Sequence, residues 1–276
     1  MNSKPNDLAR KTVRVAPDLS VSYRQRGEVT RPPLVFLHAF PLSSAMWNGQ
    51  IEEFSTDYEV FAPDLRGIGQ TSEFASKPSI QTLAADLAAW LEEIGVYQAI
   101  TLCGLSMGGY IALEFARQFP EKLGALILCD TRADADSPSA RKSRNEMIAF
   151  ARENSGRAIA QKMLTKLLGD TTARQSPRVA QKVKEIAAPN SGEKLAQLLA
   201  AMRERRDSSE FLSQITVATL VLGGSEDAVS PPDVMQPMAK RIPGACHVVL
   251  EGAGHLSNLE KPQEFNAAIR EFINSF

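Results

Sequence analysis

Residues 104–108 of this chain read Gly-Leu-Ser-Met-Gly, a serine bracketed by glycines in the pattern G-x-S-x-G. The apolar run at 99–104 precedes it, and residues 106–118 follow with helical spacing. The serine therefore falls on a strand-to-helix turn, the context that makes the pattern a candidate nucleophile elbow. Such a turn strains the serine backbone and lifts its hydroxyl clear at the carboxyl end of a sheet. Gly104 and Gly108 supply room that side chains would fill, and the helix start favours negative charge at the same spot. Two other readings compete, a packing turn and a phosphate loop. A dinucleotide fingerprint needs glycine where Ser106 stands, and no G-x-x-x-x-G-K-S/T run occurs.

A serine needs a base to become a nucleophile, and the chain has three histidines. His38 ends an early apolar run, and His247 begins the last one, where a strand leaves little freedom. His255 lies beyond that run in the loop EGAGHLSNLE, with glycines just before it, and is the candidate base. The base needs a carboxylate to fix its tautomer. Asp227 follows the run at 218–224 and gives the chain order Ser106, Asp227, His255. The adjacent Glu226 is an alternative, and Asp130, at the end of the run 125–130, is the main rival. Acyl transfer also needs oxyanion donors. The candidates are the backbone N–H of Met107, next to the nucleophile, and of Phe40, in the loop HAFPLSSAMW.

The elements that must position these groups read as alternating strands and helices. Short apolar runs at 34–38, 59–63, 99–104, 125–130, 218–224 and 247–252 read as strands buried on both faces. Two earlier segments, 13–15 and 20–26, suit an exposed edge hairpin, because the second alternates polar and apolar residues. Leu83, Leu87, Trp90, Leu91 and Ile94 share one helix face, and a final helix opens at Pro262. The expected fold class is α/β, a mostly parallel central sheet with helices on both faces. Between 132 and 210 the alternation stops and four successive helices are expected, with Ser137-Pro138 and Ser176-Pro177 as N-terminal caps. The domain reading is therefore a core of residues 1–131 and 211–276 with a helical cap at 132–210.

Composition narrows the function classes. The 276 residues carry a formal charge of −1, which gives no bias toward nucleic acid or an anionic membrane. Residues 137–206 hold 15 Lys/Arg against 6 Asp/Glu, a net of +9, leaving −10 for the rest. A basic cap can attract the acidic body, or it can draw in anionic substrates. Cys103, Cys129 and Cys246 lie in or beside apolar runs and read as small buried hydrophobes in a reducing compartment. The first 17 residues lack the apolar core of a secretory signal, and no apolar stretch approaches a membrane span. A cytoplasmic location is expected. The histidines and cysteines show no metal-ligand spacing.

Five stretches, LHAFP (37–41), APDLRGIGQT (62–71), GLSMGG (104–109), GGSEDAVSP (223–231) and GAGHLSNLEKP (252–262), together resemble the α/β-hydrolase superfamily. The resemblance is strongest to small serine carboxylesterases and 3-oxoadipate enol-lactonase-like hydrolases. It implies carboxylic ester hydrolysis on a small-molecule ester or lactone, with no cofactor, and enol-lactone hydrolysis or cofactor-free perhydrolase chemistry as alternatives. A non-catalytic binding protein of the same fold would carry a damaged triad, and this one is intact. The resemblance also implies that Asp64, Arg66, Gly67 and Gly69 shape a loop near the site. Its first motif usually reads H-G-x-P, so Ala39 departs from it and bears on where the Phe40 N–H points.

Overall fold

The computed structural model describes residues 8–75 and 77–275. Residues 1–7 of the 17-residue stretch read as lacking a secretory signal lie outside them. Eight strands form one sheet: β1 (Arg10–Ala16), β2 (Leu19–Arg26), β3 (Pro33–Leu37), β4 (Glu59–Pro63), β5 (Ile100–Leu105), β6 (Leu123–Cys129), β7 (Ala218–Gly224) and β8 (Cys246–Leu250). Their order is β1-β2-β4-β3-β5-β6-β7-β8. β2 runs antiparallel to both β1 and β4, and the pairs from β4 through β8 are parallel. β3 to β5 are fully or almost fully buried because packed layers cover both faces of the sheet.

The helices of the body are α1 (Asn48–Phe54), α2 (Ile80–Glu93) and α3 (Met107–Gln118). Between β6 and β7 come α4 (Pro138–Glu153), α5 (Gly156–Leu167), α6 (Asp170–Gln175), α7 (Pro177–Ala187) and α8 (Gly192–Arg203). The chain ends with α9 (Pro232–Arg241), α10 (Ser257–Glu260) and α11 (Pro262–Ile273). α2 buries Leu83, Leu87, Trp90 and Leu91 on one face, and Ser79 caps it by accepting from Thr82 N. α11 buries Phe265, Ile269 and Phe272.

Four sequence expectations need correction. β2 is not an exposed edge: β1 and β4 flank it, residues 71–72 bond to its backbone, and Ser22 and Arg24 are buried. Residues 138–203 hold five helices rather than four, because α6 is too short to show periodicity. Ser137 does cap α4, accepting from Ala140 N. Ser176 makes no side-chain cap: its backbone, at φ −136° and ψ 62°, lacks the extended conformation that Ser137 takes at its cap, and its N–H closes α6 onto Thr172 O. Cys103 and Cys129 are buried and free, but Cys246 is exposed because β8 is an outer strand with only β7 beside it.

The strand order reverses around β3: the chain steps from β3 out to β4 and returns to place β5 on the other side. Such a switch point leaves a crevice beyond the carboxyl ends of the strands. The loop after β3 and the turn after β5 both open there, with Leu37 and Gly104 in register.

Candidate active site

Ser106 sits between β5 and α3 with φ 56° and ψ −110°, a left-handed conformation that few non-glycine residues adopt. Close packing enforces it. A Cβ on Gly104 would lie 2.2 Å from Gly108 O, and one on Gly108 would lie 2.3 Å from Leu37 O. Thr131 pins the turn from the next strand end, its hydroxyl donating to Ser106 O at 2.9 Å. A Cβ on Gly109 would strike that same Thr131 side chain, so this glycine permits the close approach of α3.

The loop after β8 brings His255 Nε2 to 2.8 Å from Ser106 Oγ. The other ring nitrogen, Nδ1, is 2.8 Å from Asp227 Oδ2. A carboxylate accepts only, so Nδ1 carries the proton, and Nε2 is free to accept the serine O–H. Asp227 Oδ1 accepts from Val229 N at 2.7 Å and Ser230 N at 2.9 Å, which fixes the carboxylate plane. Burial pushes the Asp227 carboxyl up. The facing His255, its ring N–H and the two backbone N–H groups outweigh that and hold it below its usual value. All three side chains are buried, so these bonds form with little competition from water.

Neither rival carboxylate bonds to His255. Asp130 is fully buried at φ 44°, where Oδ1 accepts from Gly224 N at 3.0 Å and Oδ2 accepts from the Ser257 hydroxyl. Burial, and after it the charge of Asp227, push its carboxyl well above the usual range. Asp130 thus ties the ends of β6 and β7 to the first turn of α10, just beyond His255. Glu226 instead accepts from Thr171 N at 2.7 Å and from the Thr171 hydroxyl, joining the first turn of α6 to the loop that carries Asp227. His38 accepts from Leu65 N through Nε2 at 3.1 Å and faces Ala39 O through Nδ1. Burial holds its imidazole below the usual histidine value, so it is neutral and structural.

The two oxyanion candidates follow the paired ends of β3 and β5, at the same end of the sheet. Met107 is the first residue of α3, so its N–H falls in the first turn, where the helix offers no partner. Phe40 follows β3 beside it, buried, and its peptide bond to Pro41 is cis. Ala39 is fully buried without a left-handed backbone; its N–H meets Met46 Sδ at 3.2 Å and its carbonyl accepts from Leu42 N. The extra methyl is therefore absorbed into the apolar cluster around Met46 and Trp47.

The 64–71 loop is built from structural contacts. Asp64 Oδ1 accepts from Ser44 N, and Arg66 makes two bonds to Asp86 and two to Asp18, one to its carboxylate and one to its backbone carbonyl. Gly67 and Gly69 take φ of 83° and 56°.

One residue without a sequence signal of its own joins these loops. Asn190, buried between α7 and α8, donates from Nδ2 to Pro41 O at 2.9 Å, and its Oδ1 accepts from Gly69 N at 3.2 Å. The run Pro189-Asn190-Ser191-Gly192 announces a turn, and nothing in it announces a clamp on the Phe40 loop.

The arrangement can deprotonate a serine, hold the resulting imidazolium, and offer backbone N–H groups to an oxyanion. Comparisons with known proteins agree with this fold. Residues 32–262 match the family described as alpha/beta hydrolase fold. The chain is 31% identical over 261 residues to 3-oxoadipate enol-lactonase 2 of Acinetobacter baylyi, covering 95% of this chain and 96% of that one. A solved thermophilic esterase from Thermogutta terrifontis, in a malate-bound form, superposes with a TM-score of 0.90 at 36% identity, covering 97% and 98% of the two chains. The enol-lactonase of Burkholderia xenovorans LB400 superposes with a TM-score of 0.87 at 24% identity, covering 96% of this chain and all of its own. The chain belongs to the α/β-hydrolase fold family.

Proposed function

We propose that this hydrolase cleaves carboxylic esters through an acyl-enzyme on Ser106. The observation that carries the proposal is the unbroken relay from Ser106 Oγ through His255 to Asp227, each link 2.8 Å long. His255 takes the serine proton as Oγ attacks the ester carbonyl. The N–H groups of Phe40 and Met107 hold the oxyanion of the tetrahedral intermediate. His255 returns the proton to the leaving alcohol. Water, activated by the same imidazole, then releases the acid. Helices α4 to α8 act as a cap that selects the substrate. A second reading, hydrolysis of an enol-lactone, uses the same steps with leaving group and acyl group in one ring. The similarity to the Acinetobacter enol-lactonase favours it.

The test is turnover of short-chain and long-chain aryl esters and of enol-lactones by wild-type, Ser106→Ala and His255→Ala proteins. Loss of the serine or the histidine is expected to lower kcat by about 10⁶-fold. Equal turnover by wild type and Ser106→Ala would reject the mechanism.

A further inference from the structure

Tyr110 N donates to Ser106 O at 3.2 Å, and Val229 N donates to Asp227 Oδ1 at 2.7 Å. Tyr110 and Val229 also line a cavity of about 760 Å³ under α4 and α5. Its apolar wall comes from Met147, Phe150, Met163 and Leu199. A chain of several methylenes fits such a wall, and the volume lies in the range of small-molecule sites.

The charged lining is unbalanced. Arg132, Arg144, Lys162 and Lys166 face Asp136 and Glu146. Arg132 is satisfied by a two-bond pair with Asp134. Asp136 is shared between the guanidiniums of Arg144 and Arg205, so one carboxylate serves two cations. Lys162 and Lys166 stand one turn apart on α5, on the same helix face. Among the described residues neither is ion-paired; Lys162 rests its ammonium 4.6 Å from the Phe150 ring centroid. Part of the positive surplus of the 137–206 segment thus lines the cavity on exposed side chains of α5, and the same lining includes Tyr110, whose backbone N–H is bonded to Ser106 O.

We infer that the cavity selects esters that carry a carboxylate at the far end of an apolar chain, that is, half-esters of dicarboxylic acids. Resting on the serine-hydrolase reading above, this inference places the reacting carbonyl at Ser106, the methylene chain along Phe150 and Met163, and the distal carboxylate at Lys162 and Lys166. Two exposed charge pairs give a preference of at most roughly tenfold, which added salt erodes.

The experiment compares mono-p-nitrophenyl suberate with p-nitrophenyl octanoate, which share a leaving group and chain length and differ in the terminal carboxylate. Wild type is expected to show a kcat/KM ratio of about ten in favour of the suberate ester, carried by KM. The ratio falls to near one in the Lys162→Met/Lys166→Met double variant and returns in the double arginine variant. A wild-type ratio of one, or a ratio unchanged in the methionine variant, overturns the inference. Turnover of octanoate that depends on Ser106 keeps the ester reading standing in either case. If neither ester is turned over, calorimetry of monoethyl suberate on Ser106→Ala protein decides the carboxylate site by itself. Binding that weakens about tenfold on loss of the two lysines supports it, and absent or unchanged binding refutes it.

Discussion

Replacing Asp227 by asparagine separates the two buried aspartates at this end of the sheet. Asp227 Oδ1 accepts two backbone N–H bonds, from Val229 and Ser230, so an asparagine here must keep its oxygen at that position. Its NH₂ group is then driven into the place of Oδ2, 2.8 Å from His255 Nδ1. A donor facing Nδ1 stabilises the tautomer that carries its proton on Nε2, and that nitrogen can no longer accept from Ser106. Loss of the triad acid in this way costs about 10⁴-fold in kcat, or about 5.4 kcal/mol of transition-state stabilisation. KM is expected to change little, because the substrate does not touch this side chain. The companion variant, Asp130→Asn, keeps an amide oxygen for Gly224 N and leaves untouched the His255–Asp227 pair, to which Asp130 does not bond. It is expected to keep kcat within about tenfold. Steady-state hydrolysis of an aryl ester by both variants is the assay. An Asp227→Asn enzyme within tenfold of wild type, beside an Asp130→Asn enzyme reduced 10³-fold, would transfer the acid role to Asp130 and refute the reasoning.

Other outcomes follow from the same contacts. Because the Asp130 pKa is raised in the fold, the native state binds the extra proton, and its contribution to stability falls as pH rises from the ordinary aspartate range toward that raised pKa. Asp227, held below its usual value, contributes in the opposite sense, with stability lost as pH falls through its folded pKa. Urea titrations between pH 4 and pH 8 should therefore show Asp130→Asn gaining stability over wild type as pH rises. Asn190→Ala leaves Pro41 O and Gly69 N short of a partner; the buried loss should destabilise by about 1–3 kcal/mol and lower kcat more than it changes KM. An equal rise in KM with kcat intact would make Asn190 a substrate contact instead. Gly108→Ala drives a methyl into Leu37 O and should cost at least about 1–3 kcal/mol of stability, read as a lowered thermal midpoint.

The buried strands were legible because a sheet covered on both faces leaves near-continuous apolar runs, as in Leu34–Leu37 and Leu126–Cys129. The glycines around Ser106 were legible for a related reason: crowding there forbids a side chain, and glycine is the only answer. His255 and Asp227 emerged from chain order and from the few histidines available. What stayed hidden depends on neighbours distant in sequence. The alternation in β2 imitates an edge because burial of Ser22 and Arg24 is imposed by Thr71 and by β1. Cys246 sits in an apolar run, yet its exposure follows from the place of β8 at the end of the sheet. Asn190 lies about 150 residues along the chain from the carbonyl it holds, and no local pattern encodes that contact. The Asp130 contacts are of the same kind: its position was visible, while its bonds to Gly224 and Ser257 were not.

Covalent capture of the nucleophile tests the central claim most directly. Incubation with a fluorophosphonate, followed by intact-mass measurement and peptide mapping, should give one phosphonyl adduct per chain on the peptide carrying Ser106, in step with loss of hydrolase activity. Labelling should vanish in Ser106→Ala and slow by several orders of magnitude in His255→Ala. An adduct on another residue that abolishes activity, or full labelling of Ser106→Ala, would contradict the account.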